Sequence, residues 1–108
     1  MQILFDDIPE FSIPGLNGGA GEVAARMYAD PALKIMVSRL PAGAFIGEHP
    51  HPASCEVNYV LAGKGRAVCG GAEEELSPGV CHYCPRGSTH SIENTGAEDL
   101  VLFTVVPA

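Results

Sequence analysis

The sequence has no apolar run long enough to cross a membrane. The longest such run, LVLFTVV at 100–106, is interrupted by Thr104 and is far shorter than the roughly 20 residues that a spanning helix needs. The first residues, MQILFDDIPE, lack a basic start and carry Asp6 and Asp7, which is not the pattern of a secretory signal. These features predict a soluble chain located in the cytoplasm.

Basic residues are also scarce. Six Lys and Arg stand against 13 Asp and Glu, which gives a formal net charge of −7. Nucleic acids and anionic membranes are bound through basic surfaces, so the composition argues against either one as a partner. The acidic runs Asp6–Asp7 and Glu73–Glu74–Glu75 are expected to be solvated charges at loops or strand edges.

The four cysteines do not form a zinc pattern. Zinc ribbons and knuckles need two Cys or Cys/His pairs at matching spacing. Cys55 and Cys69 are 14 residues apart and have no such partner. In a cytoplasmic protein, the four thiols are expected to stay reduced.

The stretch CHYC at 81–84 has the spacing of a redox dithiol. On a strand, however, Cys81 and Tyr83 face one way, and His82 and Cys84 face the other. Cys81 and Cys84 are therefore predicted neither to close a disulfide nor to chelate one ion. We expect both to pack as small apolar residues.

Thirteen Gly and nine Pro are spread along the chain and separate short runs of apolar and β-branched residues. This pattern is typical of an all-β domain. The segment 22–29 is ambiguous, because Ala24, Ala25 and Arg26 favour a helix by propensity. Many short strands at even spacing predict a sandwich or closed barrel, formed by one domain over 1–108. The predicted strands lie near 2–5, 22–29, 33–40, 43–49, 55–61, 64–69, 73–76, 79–84, 89–94 and 98–106.

The stretch GAFIGEHPHPASCEVNYVLAG at 43–63 carries two histidines two positions apart. Side chains alternate along a strand, so His49 and His51 are predicted to face the same way, with Cα atoms roughly 6.5 Å apart. Pro50 keeps this segment extended. A strand that folds back after the histidines could place Glu56 opposite them, so that two nitrogens and one carboxylate reach the same ion.

The stretch GVCHYCPRGSTHSIEN at 79–94 supplies a further histidine. Pro85 and Gly87 mark a turn, and His90 opens the strand that follows. In register, this imidazole would complete a set of three histidines and one glutamate. The members of this set are His49, His51, Glu56 and His90.

Together the two stretches resemble the two motifs of the cupin family. The first motif is matched by Gly43, His49, His51, Glu56 and Gly63, and the second by Gly79, Pro85, Gly87, His90 and Asn94. Val80 departs from the pattern, because many members have Asp there. The resemblance implies a double-stranded β-helix, a β-barrel of six to eight strands, with a metal held inside by His49, His51, Glu56 and His90. It also implies a homodimer, often formed by exchange of N-terminal strands.

Three imidazoles and a carboxylate suit one divalent transition metal, namely Fe, Mn, Ni, Cu, Co or Zn. The metal would act as a Lewis acid and a template. Glu56 could instead be a general base, but a metal-bound carboxylate is a poor base, so the ligand role is favoured. Metal binding is expected to weaken below about pH 6, where protons compete for imidazole nitrogens.

Asn58 and His82 are the candidate substrate contacts. Asn58 shares the face of Glu56, and a buried amide needs partners. It therefore either bonds a neighbouring protein group or contacts a substrate. His82 is an acid–base group beside the metal if its face is the barrel interior, and a surface histidine otherwise.

Four other side chains near these motifs have simpler expectations. Arg39 and Arg86 could attract an anionic substrate, but a surface position is favoured for both. Met27 and Met36 are expected in the core.

Two functions fit these features. The first is a small metal-dependent enzyme acting on an organic metabolite, with dioxygenase chemistry favoured and isomerase or lyase chemistry close behind. The second is a non-catalytic module that binds a small molecule such as a sugar or an organic acid. Fold alone does not separate them, but the intact ligand set favours the enzyme.

Overall fold

The computed structural model describes residues 1–50 and 53–108, and most of this chain is strand or tight turn. Two single-turn 3₁₀ helices lie at Phe5–Asp7 and Leu16–Gly18. Within the described ranges, no helix is long and apolar enough to span a membrane. The strands are β1 (Phe11–Pro14), β2 (Glu22–Ala29), β3 (Leu33–Leu40), β4 (Phe45–Pro50), β5 (Glu56–Ala62), β6 (Gly65–Cys69), β7 (Ala72–Leu76), β8 (Cys81–Cys84), β9 (Thr89–Asn94) and β10 (Leu100–Pro107).

The strands form two antiparallel sheets. One has six strands in the order β1-β2-β3-β10-β5-β8, and the other has four in the order β4-β9-β6-β7. This is the arrangement of a double-stranded β-helix, so the predicted all-β class is confirmed. The resemblance implied six to eight strands, and the described residues form ten.

Alternation along β10 decides which side chains meet inside. Leu100, Leu102 and Thr104 are buried, whereas the residues between them are only partly so. Since β10 lies between β3 and β5, the inward residues Leu102 and Thr104 each have a neighbour on both sides. Thr104, for example, pairs with Met36 on β3 and with Asn58 on β5. The interior is thus assembled from segments that are distant in sequence.

The predicted strand at 2–5 is wrong. The chain enters the 3₁₀ turn Phe5–Asp7 there, and Arg26 holds that turn by donating to the carbonyls of Phe5 (3.3 Å) and Ile8 (2.6 Å). The first strand is instead β1, which was not predicted because its sequence FSIP is short and ends in proline. Proline is tolerated there because β1 is the outermost strand of its sheet.

The ambiguous segment 22–29 is a strand. β2 pairs with β1 on one side and with β3 on the other, and Val23, Ala24 and Ala25 are buried. Backbone pairing on both sides and burial of this apolar run outweigh the helix propensity of the alanines, which is a small effect per residue.

Two residues of the motifs, Gly63 and Asn94, hold the segment around Asp99 that leads into β10. A Cβ on Gly63 would lie 2.3 Å from the carbonyl oxygen of Asp99, and the φ of Gly63 is +87°, so only glycine fits without a backbone shift. The buried amide of Asn94 donates to the carbonyls of Leu40 and Glu98, each at 2.7 Å. The roles of these two residues are therefore structural.

Candidate metal centre

Three potential ligand atoms converge between the sheets. Nε2 of His90 lies 2.8 Å from Oε2 of Glu56 and 3.0 Å from Nε2 of His49. All three ligand atoms lie within 4.8 Å of one another, so the group could hold one metal ion. His90 is fully buried, whereas His49 and Glu56 are partly exposed, so the group lies where the interior begins to open.

The second histidine of the first motif, His51, lies outside the described residues. Its assignment as a ligand rests on the motif alone and stays a prediction.

A β-bulge places His49 on the inner face of its strand. Ile46 pairs with Ile92 and His49 pairs with His90, so β4 advances by three residues where β9 advances by two. The extra residue reverses the alternation, which lets Ile46 and His49 both face inward although they are three apart. A Cβ on Gly47, within the bulge, would lie 2.0 Å from the carbonyl oxygen of Asn17, so this position requires glycine.

The tautomer of His49 follows from its other ring nitrogen. Nδ1 lies 2.8 Å from the carbonyl oxygen of Gly47, which can only accept, so Nδ1 carries the proton. The Nε2 atom of neutral His49 therefore directs a lone pair towards His90 and Glu56. A metal ligand needs this arrangement.

A chain of three side chains runs from the centre to the surface. His90 Nδ1 lies 2.9 Å from Nε2 of His82, and Nδ1 of His82 donates to the carboxylate of Glu74. The rings of His82 and His90 stack with a 5.2 Å centroid separation and a 19° interplanar angle. With His82 neutral, its Nε2 accepts the Nδ1 proton of His90, which leaves Nε2 of His90 as a donor atom for a metal.

His82 thus faces the interior, one of the two alternatives left by the sequence. It is fully buried, as is His90, whereas the Glu74 side chain is 48% exposed. Both ring nitrogens of His82 are hydrogen-bonded to side chains, so the structure supports an orienting role towards His90. A contact between His82 and a substrate stays a prediction.

The carboxylate of Glu56 is oriented by Asn58, a residue of the same strand. The amide nitrogen of Asn58 donates to Oε2 of Glu56 at 3.0 Å, and the amide oxygen accepts from the hydroxyl of Thr104 at 2.6 Å. These two bonds fix the orientation of the buried amide. Asn58 therefore bonds neighbouring protein groups, and since it also lines the cavity, substrate contact by Asn58 stays a prediction.

A cavity of about 460 Å³, partly open to solvent, lies beside the centre. His49, Glu56 and Asn58 form part of its wall, and apolar side chains from both sheets form most of the remainder. Met27 and Met36, expected in the core, are half-buried residues of this wall. The volume is in the range of pockets that hold small organic molecules.

The alternation predicted for CHYC is confirmed. Cys81 and Tyr83 are exposed, and the other two residues, His82 and Cys84, are buried. The expectation that Cys81 packs as a small apolar residue is therefore wrong, and that for Cys84 is confirmed. All four cysteines are free thiols. Burial, together with a hydrogen bond to Cys69, raises the pKa of Cys84 to about 12, so this thiol stays protonated and behaves as a small apolar group.

Sequence reasoning missed Glu74. It was grouped with its neighbours as a solvated charge, but it shares the inward face of β7 with the buried Leu76. That period-two relation was a usable signal. Arg39 is exposed, as expected, and pairs with Glu10 at 2.7 Å and Asp99 at 3.0 Å.

The fold and these residues define a small two-sheet β-protein with a candidate His–Glu–His metal centre beside a cavity. The family model for the cupin domain matches residues 36–106, which is most of the chain. The chain therefore belongs to the cupin family, and the resemblance seen in the two motifs is confirmed.

Proteins of known sequence or structure agree with this assignment. An oxalate-binding protein from Thermotoga maritima is 30% identical over an aligned length of 112 residues. The alignment covers 98% of this chain and 93% of that protein. The crystal structure of a predicted oxalate decarboxylase from the same organism has a TM-score of 0.93 at 29% identity and covers 99% of this chain and 98% of its own. The polyketide cyclase RemF from Streptomyces resistomycificus shares the fold, with a TM-score of 0.81 at 21% identity over 99% of this chain and 78% of that one.

Proposed function

We propose that this protein is a metal-dependent enzyme acting on a small organic metabolite. Dioxygenase-type chemistry is favoured, and isomerase or lyase chemistry is the other outcome. The observation that carries the proposal is the convergence of His49, Glu56 and His90 at a cavity large enough for an organic molecule. A barrel that only binds a ligand does not need such a set of donors.

The donor set fits a divalent transition metal. Nε2 of His49 and of His90 are lone-pair donors once their Nδ1 atoms are hydrogen-bonded elsewhere, and Glu56 adds an anionic oxygen. His51 would be the fourth ligand. Imidazole and carboxylate accommodate Fe, Mn, Ni, Cu, Co and Zn, so these donors do not select one ion. When bound, such an ion supplies Lewis-acid activation and a template for the substrate.

The other residues of the site act by orientation and exclusion. Asn58 holds one oxygen of Glu56 in place, and Thr104 in turn holds Asn58. His82 sets the donor atom of His90. The apolar part of the cavity wall would displace water from one side of a bound substrate, which would strengthen electrostatic interactions at the centre.

A binding function is the second candidate. The relative from Thermotoga maritima is named for binding oxalate and not for turning it over. In this alternative, the same metal would hold an organic acid or a sugar, and the protein would catalyse no reaction on it.

Metal and turnover measurements separate the two functions. We expect protein purified without added metal to contain a divalent ion near one per chain, and the Fe- or Mn-loaded protein to consume oxygen with a small organic acid. His90→Ala, with the centre removed, is the matched control and should be inactive. Tight ligand binding without turnover under every redox-active metal would instead establish the binding module.

We also infer a homodimer that pairs through the outer face of the six-stranded sheet. Tyr59, Leu61 and Tyr83 are 42%, 48% and 55% exposed on the β5–β8 side of that face. Exposed apolar clusters of this kind mark protein contacts.

Charge on this face should separate the protomers. Light scattering after size exclusion is expected to give a dimer mass for the parent and a monomer mass for the double variant Tyr59→Glu, Leu61→Glu. Glu73→Ala, which changes an exposed residue of the other sheet, should remain dimeric. A monomeric parent at micromolar concentrations would refute the inference.

A further inference from the structure

The cavity is larger and more apolar than a small dianion such as oxalate requires. Its volume is about 460 Å³, and 11 of the 18 described residues that line it are apolar. Oxalate consists of two carboxylates joined directly, so it has no apolar part to place against such a wall. The apolar residues include Ile13, Val23, Met27, Met36, Ile92 and Leu102.

The strand register places an exposed cation, Lys34, on the same sheet as Glu56 and two strands away from it. Val106 pairs with Lys34 on β3, and Val105 pairs with Val57 on β5, which puts Val106 beside Glu56. Glu56 and Lys34 therefore lie at one level, separated by two strand spacings, or roughly 9–10 Å between Cα atoms. Among the described lining residues, Lys34 is the only Lys or Arg.

The wall next to this level is suited to a flexible apolar body. Met27 and Met36 pair directly on neighbouring strands, and both line the cavity. Methionine side chains are unbranched and polarizable and adapt to the shape of a ligand. The polar groups on the same row, Asn58 and Thr104, are hydrogen-bonded to each other.

From this geometry we propose that the ligand is an organic dianion with an apolar body. One carboxylate lies at the His49–Glu56–His90 end, the other lies beside Lys34, and the body packs on Met27 and Met36. The inference rests on the proposed metal function for the first carboxylate. The contacts with Lys34 and the two methionines do not depend on the metal.

Methionine methyl NMR tests the position of the apolar body in the parent protein. The chain has three methionines, and Met1 is 98% exposed and so serves as an internal reference. Octanoate and suberate are expected to shift the methyl signals of Met27 and Met36 and to leave Met1 unchanged, in the zinc-loaded protein and in the apoprotein. If neither acid shifts these two signals, the proposal is wrong.

Calorimetry with the zinc-loaded protein tests the two charges. Burial of methylenes should make suberate bind at least about tenfold more tightly than oxalate. Suberate should bind about twofold to fivefold more tightly than octanoate, because its second carboxylate forms an exposed ion pair. Lys34→Ala should remove that advantage, whereas Lys64→Ala, which changes the other lysine of the chain, should preserve it.

These measurements distinguish failure of the ligand assignment from failure of the metal function. Tighter binding of oxalate than of suberate, or an equal effect of both lysine variants, would overturn the proposed ligand. If the protein retains no zinc but octanoate still shifts Met27 and Met36, the metal function fails and the apolar binding site stands.

Discussion

Replacing His90 with alanine is expected to abolish stoichiometric metal binding. His90 is the central member of the group, since its Nε2 atom is within 3.0 Å of both His49 and Glu56, and no solvent reaches its side chain. Removing a residue that only hydrogen-bonds a metal ligand typically lowers metal affinity by about 10–100-fold. Removing the ligand itself should cost more, so we expect metal affinity to fall by more than about 100-fold. Element analysis per mole of protein measures this directly.

Two further variants keep this test interpretable. Because alanine leaves a cavity at a buried position, His90→Gln, which nearly preserves the volume, checks that the loss is not caused by unfolding. Ser91→Ala, at the adjacent position on the opposite face of β9, should keep full occupancy. Circular dichroism should show the same strand content in all three variants. Full metal occupancy in His90→Ala would mean that the ligand assignment is mistaken. On the motif alone, the same loss is expected for His51→Ala.

The convergence of His49, Glu56 and His90 could be predicted because the sequence signals for it are local. His49, Glu56 and His90 each sit next to turn residues at fixed spacing, and the structure brings these three together as the motifs implied. The β-bulge at Gly47 was not predicted. One inserted residue there changes which side chains face inward. The backbone that makes glycine necessary at position 47 belongs to Asn17, which is 30 residues away in the chain.

The cavity could not be predicted for a similar reason. Its charged end depends on the register of β10 against both β3 and β5, and a slip of one residue would turn Lys34 outward. Alternation along a single strand predicts which side chains share a face of that strand. It does not predict which strands become neighbours in the sheet. For the same reason, Met27 and Met36 resembled core residues, although they line an open space.

Replacing His82 with leucine is expected to weaken metal binding by about 10–100-fold while the sheets stay folded. His82 makes no contribution as a ligand in this interpretation. His82 accepts the Nδ1 proton of His90 at 2.9 Å and is itself held by Glu74. Without His82, the His90 ring can change its orientation and its tautomer is no longer fixed. Leucine fills the buried volume without a hydrogen-bond acceptor. Competition with a chromophoric chelator measures the affinity, and ¹⁵N shifts of the imidazoles report the tautomer.

A structural effect and an orienting effect can be told apart in this chain. His82→Gln restores an acceptor near Nδ1 of His90 and should recover part of the affinity, which a packing role alone does not predict. Glu74→Ala should weaken binding less than His82→Leu, because it acts through one more hydrogen bond. Glu73→Ala and Glu75→Ala, on the opposite face of the same strand, should have no effect. Unchanged affinity and an unchanged His90 tautomer in His82→Leu would show that the buried Glu74–His82–His90 chain serves packing and does not position the metal ligand.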